Sequence, residues 1–389
     1  MTHATTPLLQ TPFHAWHVER GAKMVPFAGW EMPLHYGSIV DEHHQVRTSG
    51  GLFDVSHMGR IMLVGRDARA LLDRICTRQV IDMKEGQARY SIVCNEHGGC
   101  HDDVLVYLVA AGEYLMVCNA SNRAKILAHL HAVKEAEGHV LSIEDFTESS
   151  AMIAIQGPRV MDVMGEFSSS IPELRRYRFV RKELLGLEMY VSRTGYTGED
   201  GVEVIFRTDS LAAKAAMKLF LGKVGGIDAI QPAGLGARDS LRLEAAMALY
   251  GHEITEEIDP VSAGLLFAIK LDKGESVPEA GRFIGQDALQ RIHAEGPARR
   301  LVGLELDSRR AARQGAAVHH AGDVADGGEP GEACGEVTSG TLSPTLGKSI
   351  AMAYVDAAHC EPGTTLAIPF GRSAVVATVV PLPFYAAGG

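Results

Sequence analysis

Short strand-sized apolar runs alternate with amphipathic stretches along the chain, with no tandem repeat and no low-complexity tract. Residues 124–136 (AKILAHLHAVKEA) carry helical spacing. Segments 187–193 and 202–207 alternate with period two and are joined by a glycine-rich turn. Segment 237–249 reads as a further helix, with Leu241, Ala245 and Ala248 on its apolar side and Gly251 placed to end it. Strands and helices follow one another without a regular strand–helix–strand rhythm, which predicts α+β rather than a doubly wound sheet.

The pattern changes after Lys270. Segment 272–281 is polar and holds Gly274 and Pro278, and 293–297 is a second weak point. Short β-like runs then follow at 301–306, 335–339, 350–355, 365–369 and 374–380, punctuated by Pro362-Gly363 and Phe370-Gly371. That spacing predicts a small C-terminal β-barrel, with 311–334 as an irregular hairpin inside it. The expected division is 1–285 for the larger region, itself of two subdomains, and 296–387 for the barrel. A length of 389 residues agrees with more than one core.

No apolar run approaches the roughly 20 residues that cross a bilayer, and the longest, 104–111, is strand-sized. The N-terminal residues show neither a secretory nor an import pattern, so a cytoplasmic protein without membrane attachment is expected. A net charge of −11 argues against nucleic-acid binding, which needs a dense cationic surface. Arg175, Arg176, Arg178, Arg181 and Lys182 form a local basic cluster, either a solvated face or a docking patch for an acidic partner. The six cysteines contain no Cys-x-x-Cys pair and are expected as reduced, buried thiols. Cys94, His97, Cys100 and His101 have zinc-compatible side chains. The intervening Gly98-Gly99 reads as a hairpin turn, and no metal is expected.

Three segments carry candidate chemistry. In 102–108, Asp102 lies in register with Val104, Val106 and Leu108, while Asp103 shares the other face with Leu105 and Tyr107. Both faces are apolar, so a carboxylate here is desolvated, its pKa rises, and it suits proton exchange with a bound amine; the alternative is a strand-entry pair capping the turn. In 193–204, Gly195, Gly198 and Gly201 permit positive φ and close approach to a ligand. Glu203, opposite Val202 and Val204, could accept paired N–H donors from a heteroaromatic ring, or face solvent in an ordinary hairpin. In 234–244, Arg238 and Arg242 share a helix face and could clamp a carboxylate, or else pair with Glu244, Asp239 or Glu203. No P-loop, dinucleotide fingerprint or Gly-x-Ser-x-Gly is present.

Taken in order, these segments resemble the glycine cleavage T protein family over nearly the whole chain. The carrying residues are 21–30 (GAKMVPFAGW), Glu42-His43-His44 with Val46-Arg47, 53–59 (FDVSHMG), Gly98-Gly99 with Asp102-Asp103, Gln156-Gly157-Pro158, 193–203, 237–244 (ARDSLRLE), Phe283-Ile284-Gly285 and 337–346 (VTSGTLSPTL). The resemblance implies a folate-binding region of two intertwined α/β subdomains plus a small C-terminal β-barrel. It implies aminomethyl transfer from the dihydrolipoyl arm of a lipoylated H protein to tetrahydrofolate, giving 5,10-methylenetetrahydrofolate and ammonia. Asp102 then matches the catalytic aspartate, Glu203 and Arg238 the substrate contacts, and Tyr90 a tyrosine beside the folate. Tyr385 is out of register with the family's late tyrosine, so that contact is not carried over, and Cys100-His101 replaces more usual apolar residues. A folate-dependent demethylase of a small methyl donor is an alternative on the same fold. A non-catalytic folate-binding protein of iron–sulfur assembly is another, although Arg282 stands where its motif has cysteine.

Overall fold

Three open sheets and one closed barrel make up the computed structural model, which describes residues 7–184, 186–209, 222, 227–322, 324, 328–371 and 373–388. A small sheet of Leu9–Gln10, Lys23–Phe27 and Trp30–His35 caps one side. A five-stranded sheet runs in the order Ala88–Cys94, Cys100–Ala110, Glu113–Cys118, Gly59–Val64, Ser142–Asp145. A six-stranded sheet runs Phe179–Leu184, Leu187–Ser192, Gly201–Arg207, Ser150–Gln156, Gly51–Asp54, Gln231–Pro232. The chain passes from the second of these sheets to the first between Asp54 and Gly59, and returns between Asp145 and Ser150. The two subdomains are therefore intertwined, and the fold is α+β.

Side-chain alternation sets the layers. Val104, Val106 and Leu108 join one apolar cluster with Leu71, Ile75, Ile126 and Leu130, from helices Ala68–Ile75 and Arg123–Glu137. The opposite row, including Leu105 and Tyr107, packs with Phe53, Met152, Ala154 and Ile205 of the six-stranded sheet. The far face of that sheet, through Val202, Val204 and Phe206, buries Val160, Val163 and Met164 of helix Val160–Phe167. Both faces of both sheets are thus covered, and the space between the sheets is where opposed rows meet. No helix among the described residues is long and apolar enough to cross a membrane.

The barrel closes in the order Arg299–Leu306, Ser349–Asp356, Ala333–Leu342, Ala317–His320, Thr365–Phe370, Ser373–Val380. Of the expected hairpin 311–334, residues 323 and 325–327 lie outside the described ones.

The expected helix 237–249 is instead Leu235–Glu244. It stops because Ala246 turns left-handed at φ 54, with Ala246 N–H donating to Leu243 O and Met247 N–H to Arg242 O. That is a Schellman stop made by alanine rather than glycine. Gly251 serves a later turn, its N–H bonded to Ile254 O.

Glu244, at the end of this helix, is fully buried and seams the helix to the barrel. It accepts from Arg47 Nη2 at 2.9 Å, Thr345 N at 3.0 Å and Thr345 Oγ1 at 2.8 Å. Burial alone would raise its pKa; the hydrogen bonds from His43 and Ser343 outweigh burial and hold it at about 2, against an ordinary 4.5. A depressed carboxylate stabilises fully above its unfolded pKa and ceases to do so as pH falls through its folded pKa. Urea midpoints are therefore expected to drop from pH 4.5 toward pH 2, and Glu244→Gln is expected to flatten part of that slope.

Candidate active site

Four side chains from separate elements converge on the space between the two sheets. Tyr90 comes from the strand paired with Cys100–Ala110, at the position opposite Leu105. Its hydroxyl donates to Asp103 Oδ2 at 3.1 Å, and its ring stacks on Phe267 with centroids 5.9 Å apart. Glu203 sits on the row of Ile205, facing the five-stranded sheet, and accepts from the Thr194 hydroxyl. Arg238 lies in the helix Leu235–Glu244, with its guanidinium carbon 4.8 Å from the centroid of the Tyr196 ring. Tyr196 is held in place by its hydroxyl, which donates to Ala248 O at 2.6 Å, and burial first, with the Asp103 charge, pushes its pKa up.

Asp102 does not face this space. It lies on the row of Val104 and Val106, toward the helices, opposite Val93. Its Oδ1 accepts from Asn119 Nδ2 and Asn122 Nδ2, and its Oδ2 from Asn119 N at 2.9 Å. Three N–H donors leave it little capacity for a substrate. The aspartate brought together with Tyr90, Tyr196, Glu203 and Arg238 is Asp103, the next residue. Asn119 Nδ2 links the pair, lying 2.8 Å from Asp102 Oδ1 and 2.7 Å from Asp103 Oδ1. Burial raises both pKa values, and for Asp102 the neighbouring Asp103 charge adds to the rise. Two desolvated carboxylates that share one amide titrate as a unit above the ordinary carboxylate range.

Burial likewise raises the Glu203 pKa, opposed by Thr194 and by the Arg238 charge. The Arg238 Nη1 atom is buried with no hydrogen-bond partner. An unpaired guanidinium N–H in a buried site costs about 1–3 kcal/mol or more, so its persistence points to a ligand acceptor.

Arg242 does not join Arg238 in a clamp. It is 1 % exposed and bonds Glu253 Oε2 at 2.8 Å, Asp239 Oδ1 at 2.9 Å and Ser339 Oγ at 2.8 Å, which makes it part of the seam with the barrel. The glycines of 193–204 also act differently from expectation. A Cβ on Gly195 would lie 1.8 Å from Gln156 Oε1, so the close approach is to the protein's own side chain. Gly198 is the one of the three with positive φ, at 84°. Around Gly98-Gly99 the turn is an Asx turn, with Asn95 Oδ1 accepting from His97 N at 2.9 Å and Gly99 N at 3.0 Å. Tyr385 covers Arg47, whose guanidinium carbon is 3.9 Å from its ring centroid. Tyr196 and Asn119 were not singled out from the sequence; Tyr196 lies in the glycine-rich segment, which was the available signal. Of the basic cluster, Arg175, Arg176 and Arg181 are exposed. A separate surface cleft of about 690 Å³ is lined by Arg74 and Arg282. Both are already neutralised, by Glu137 at 2.7 Å and Glu275 at 2.9 Å.

Comparison with known proteins shows two family matches. The GCVT N-terminal domain model matches residues 13–273, and the glycine cleavage T-protein C-terminal barrel domain model matches 299–386. An aminomethyltransferase of Rubrobacter xylanophilus is 45% identical over 379 residues, covering 97% of this chain and 94% of that one. One from Geobacillus kaustophilus is 42% identical over 382 residues, covering 97% and 99%. The crystal structure of glycine cleavage system aminomethyltransferase T from Bartonella henselae superposes with a TM-score of 0.85 at 30% identity, covering 97% of this chain and 98% of that one.

Proposed function

The chain belongs to the glycine cleavage T protein family, and from that premise we propose that it transfers the aminomethyl group of a lipoylated H protein to tetrahydrofolate, in the cytoplasm. The reaction gives 5,10-methylenetetrahydrofolate and ammonia. The transferred carbon leaves sulfur and its own nitrogen and bonds two folate nitrogens; the two protons those nitrogens lose leave with the thiolate and the ammonia. The observation that carries this reading is the buried, unpartnered Arg238 Nη1 beside Glu203. A pterin edge offers a carbonyl for the first and N–H donors for the second. Under the division 1–285 and 296–387, all of these groups belong to the larger region.

Asp103, rather than Asp102, exchanges the proton of the attacking nitrogen in this reading. It faces the inter-sheet space and is oriented by Tyr90 and Asn119. Its raised pKa brings it closer to that of an amine undergoing attack, the condition for efficient general acid–base transfer. Asp102 then serves as the anchored neighbour, held by Asn119 and Asn122, with its own pKa pushed up to about 7 by burial and by the Asp103 charge. Tyr90 has a double role, fixing Asp103 and offering a ring edge to the bound substrate. Holding two large substrates against one nitrogen supplies further rate through orientation, with effective molarities that reach on the order of 10⁵ M.

A reconstituted assay tests the proposal: ammonia release from aminomethylated H protein should require both tetrahydrofolate and this chain. Turnover of a small methyl donor without a lipoyl carrier would instead favour the demethylase reading. Arg238→Met, which keeps the packing and removes the donors, is expected to weaken tetrahydrofolate binding by about tenfold to a hundredfold. Equilibrium titration checks this, with thermal unfolding as a control for folding.

A further inference from the structure

His57 is 3 % exposed, and its Nδ1 is buried with no hydrogen-bond partner. Five described side chains carry such an atom, and Arg238 is another of them. The Arg238 charge is one of the lesser influences on the imidazole, after burial and Asp54. Met58, next in sequence, packs in the same apolar cluster as Ala237, the residue before Arg238.

The turn bearing His57 is firmly held. Val55 N bonds Met152 O at 3.0 Å, Ser56 Oγ bonds the same carbonyl at 3.1 Å, and Met58 N bonds Val55 O at 3.1 Å. Ser56 N donates to Asp54 Oδ1 at 2.9 Å. The other oxygen of this buried carboxylate is fixed 2.8 Å from His17 Nε2, and His17 is in turn 2.7 Å from the Tyr36 hydroxyl. Phe27 presses edge-on against the His57 ring at 5.4 Å and 87°. These bonds fix the backbone that carries His57, and Phe27 packs against its ring. Burial, opposed by the Asp54 charge and helped by those of Arg238 and Arg60, pushes its pKa down to about 3, so the ring is neutral at pH 7 and can accept at one nitrogen.

We propose that His57 is a further substrate-binding residue, whose Nδ1 accepts an N–H from the ring system that Arg238 grips through a neighbouring acceptor atom. Two preorganised groups, one donor and one acceptor, then read an adjacent carbonyl and N–H on one heterocycle edge. Leaving either unpaired in a buried site disfavours ligands that lack the matching atom. The inference rests on the folate reading above.

Two isosteres separate this role from a structural one. Asparagine places an amide atom near the Nδ1 position, whereas glutamine reaches the Nε2 position. Anaerobic calorimetric titration of tetrahydrofolate into the full chain is expected to show about tenfold weaker binding for His57→Leu and for His57→Gln, with His57→Asn within about threefold of wild type. In turnover, His57→Leu should raise the KM for tetrahydrofolate with kcat nearly kept. Unchanged binding in His57→Leu overturns the inference, as does equal weakening in all three variants with a matching fall in thermal stability. Failure of the wild-type chain to bind tetrahydrofolate overturns the folate reading and the inference together, so the two failures are distinguishable.

Discussion

Asp103→Asn is expected to lower tetrahydrofolate-dependent ammonia release by about 10²- to 10⁴-fold, the usual span of general acid–base assistance, with tetrahydrofolate binding largely kept. Asparagine retains the shape that meets Tyr90 and Asn119 and loses the ability to take a proton. Asp102→Asn should behave differently. Its amide would meet the Asn119 backbone N–H with another donor, so stability falls by about 1–3 kcal/mol while transfer survives. Because Asp103 must be ionised to accept a proton, activity is expected to decline as pH drops through its raised pKa, and because burial causes that rise, Asp102→Asn should keep the acid limb. Steady-state pH profiles of the two variants decide the matter; inactive Asp102→Asn beside active Asp103→Asn would reverse the assignment.

Glu253→Ala is expected to be the most destabilising single change at the junction with the barrel, by about 3–5 kcal/mol. Glu253 is fully buried and receives Arg242 Nη1 at 2.8 Å, Leu249 N at 2.9 Å, Thr338 Oγ1 at 2.7 Å and Ser339 Oγ at 2.6 Å. Its removal leaves the guanidinium of Arg242, itself 1 % exposed, with the largely exposed Asp239 as its carboxylate partner. The cost comes from that poorly compensated buried charge rather than from the net worth of the pair. Arg242 is one turn beyond Arg238 on the same helix, so the variant should also raise the KM for tetrahydrofolate. Urea denaturation measures the first effect and initial rates the second. A loss below about 1 kcal/mol would mean that water reaches the pair.

Much of this arrangement was legible in the sequence, and the errors have physical causes. The period-two alternation of 102–108 correctly separated Asp102 from Asp103 and put Asp102 in an apolar row. Yet both rows are apolar, because one meets helices and the other meets a second sheet, and alternation cannot say which cover contains the site. Glu203 lies on the face opposite Val202 and Val204, as the clean alternation around it predicts. For Arg242 the spacing leaves open a clamp with Arg238 or pairing with Glu244, Asp239 or Glu203; Asp239 is one partner, and the other, a glutamate nine residues past the helix end, is beyond what helical spacing shows. The early stop of that helix was invisible because alanine, a strong helix former, occupies the left-handed position. Tyr196 and Asn119 come from a loop and a strand end, where no periodicity signals direction.

The two short crossings at 54–59 and 145–150 bear on how the molecule is made. Gly51 and Leu52 wait for Gln156 and Ile155, their antiparallel partners, which in turn pair with Gly201 and Val202. A nascent chain that ends just after Asp54 therefore exposes an unpaired apolar strand, Leu52 and Phe53 included, until about 100 more residues have emerged. Synthesis of this enzyme should accordingly depend on chaperones that shield that early segment, and truncation anywhere before the return at 145–150 should yield aggregate instead of a smaller working unit.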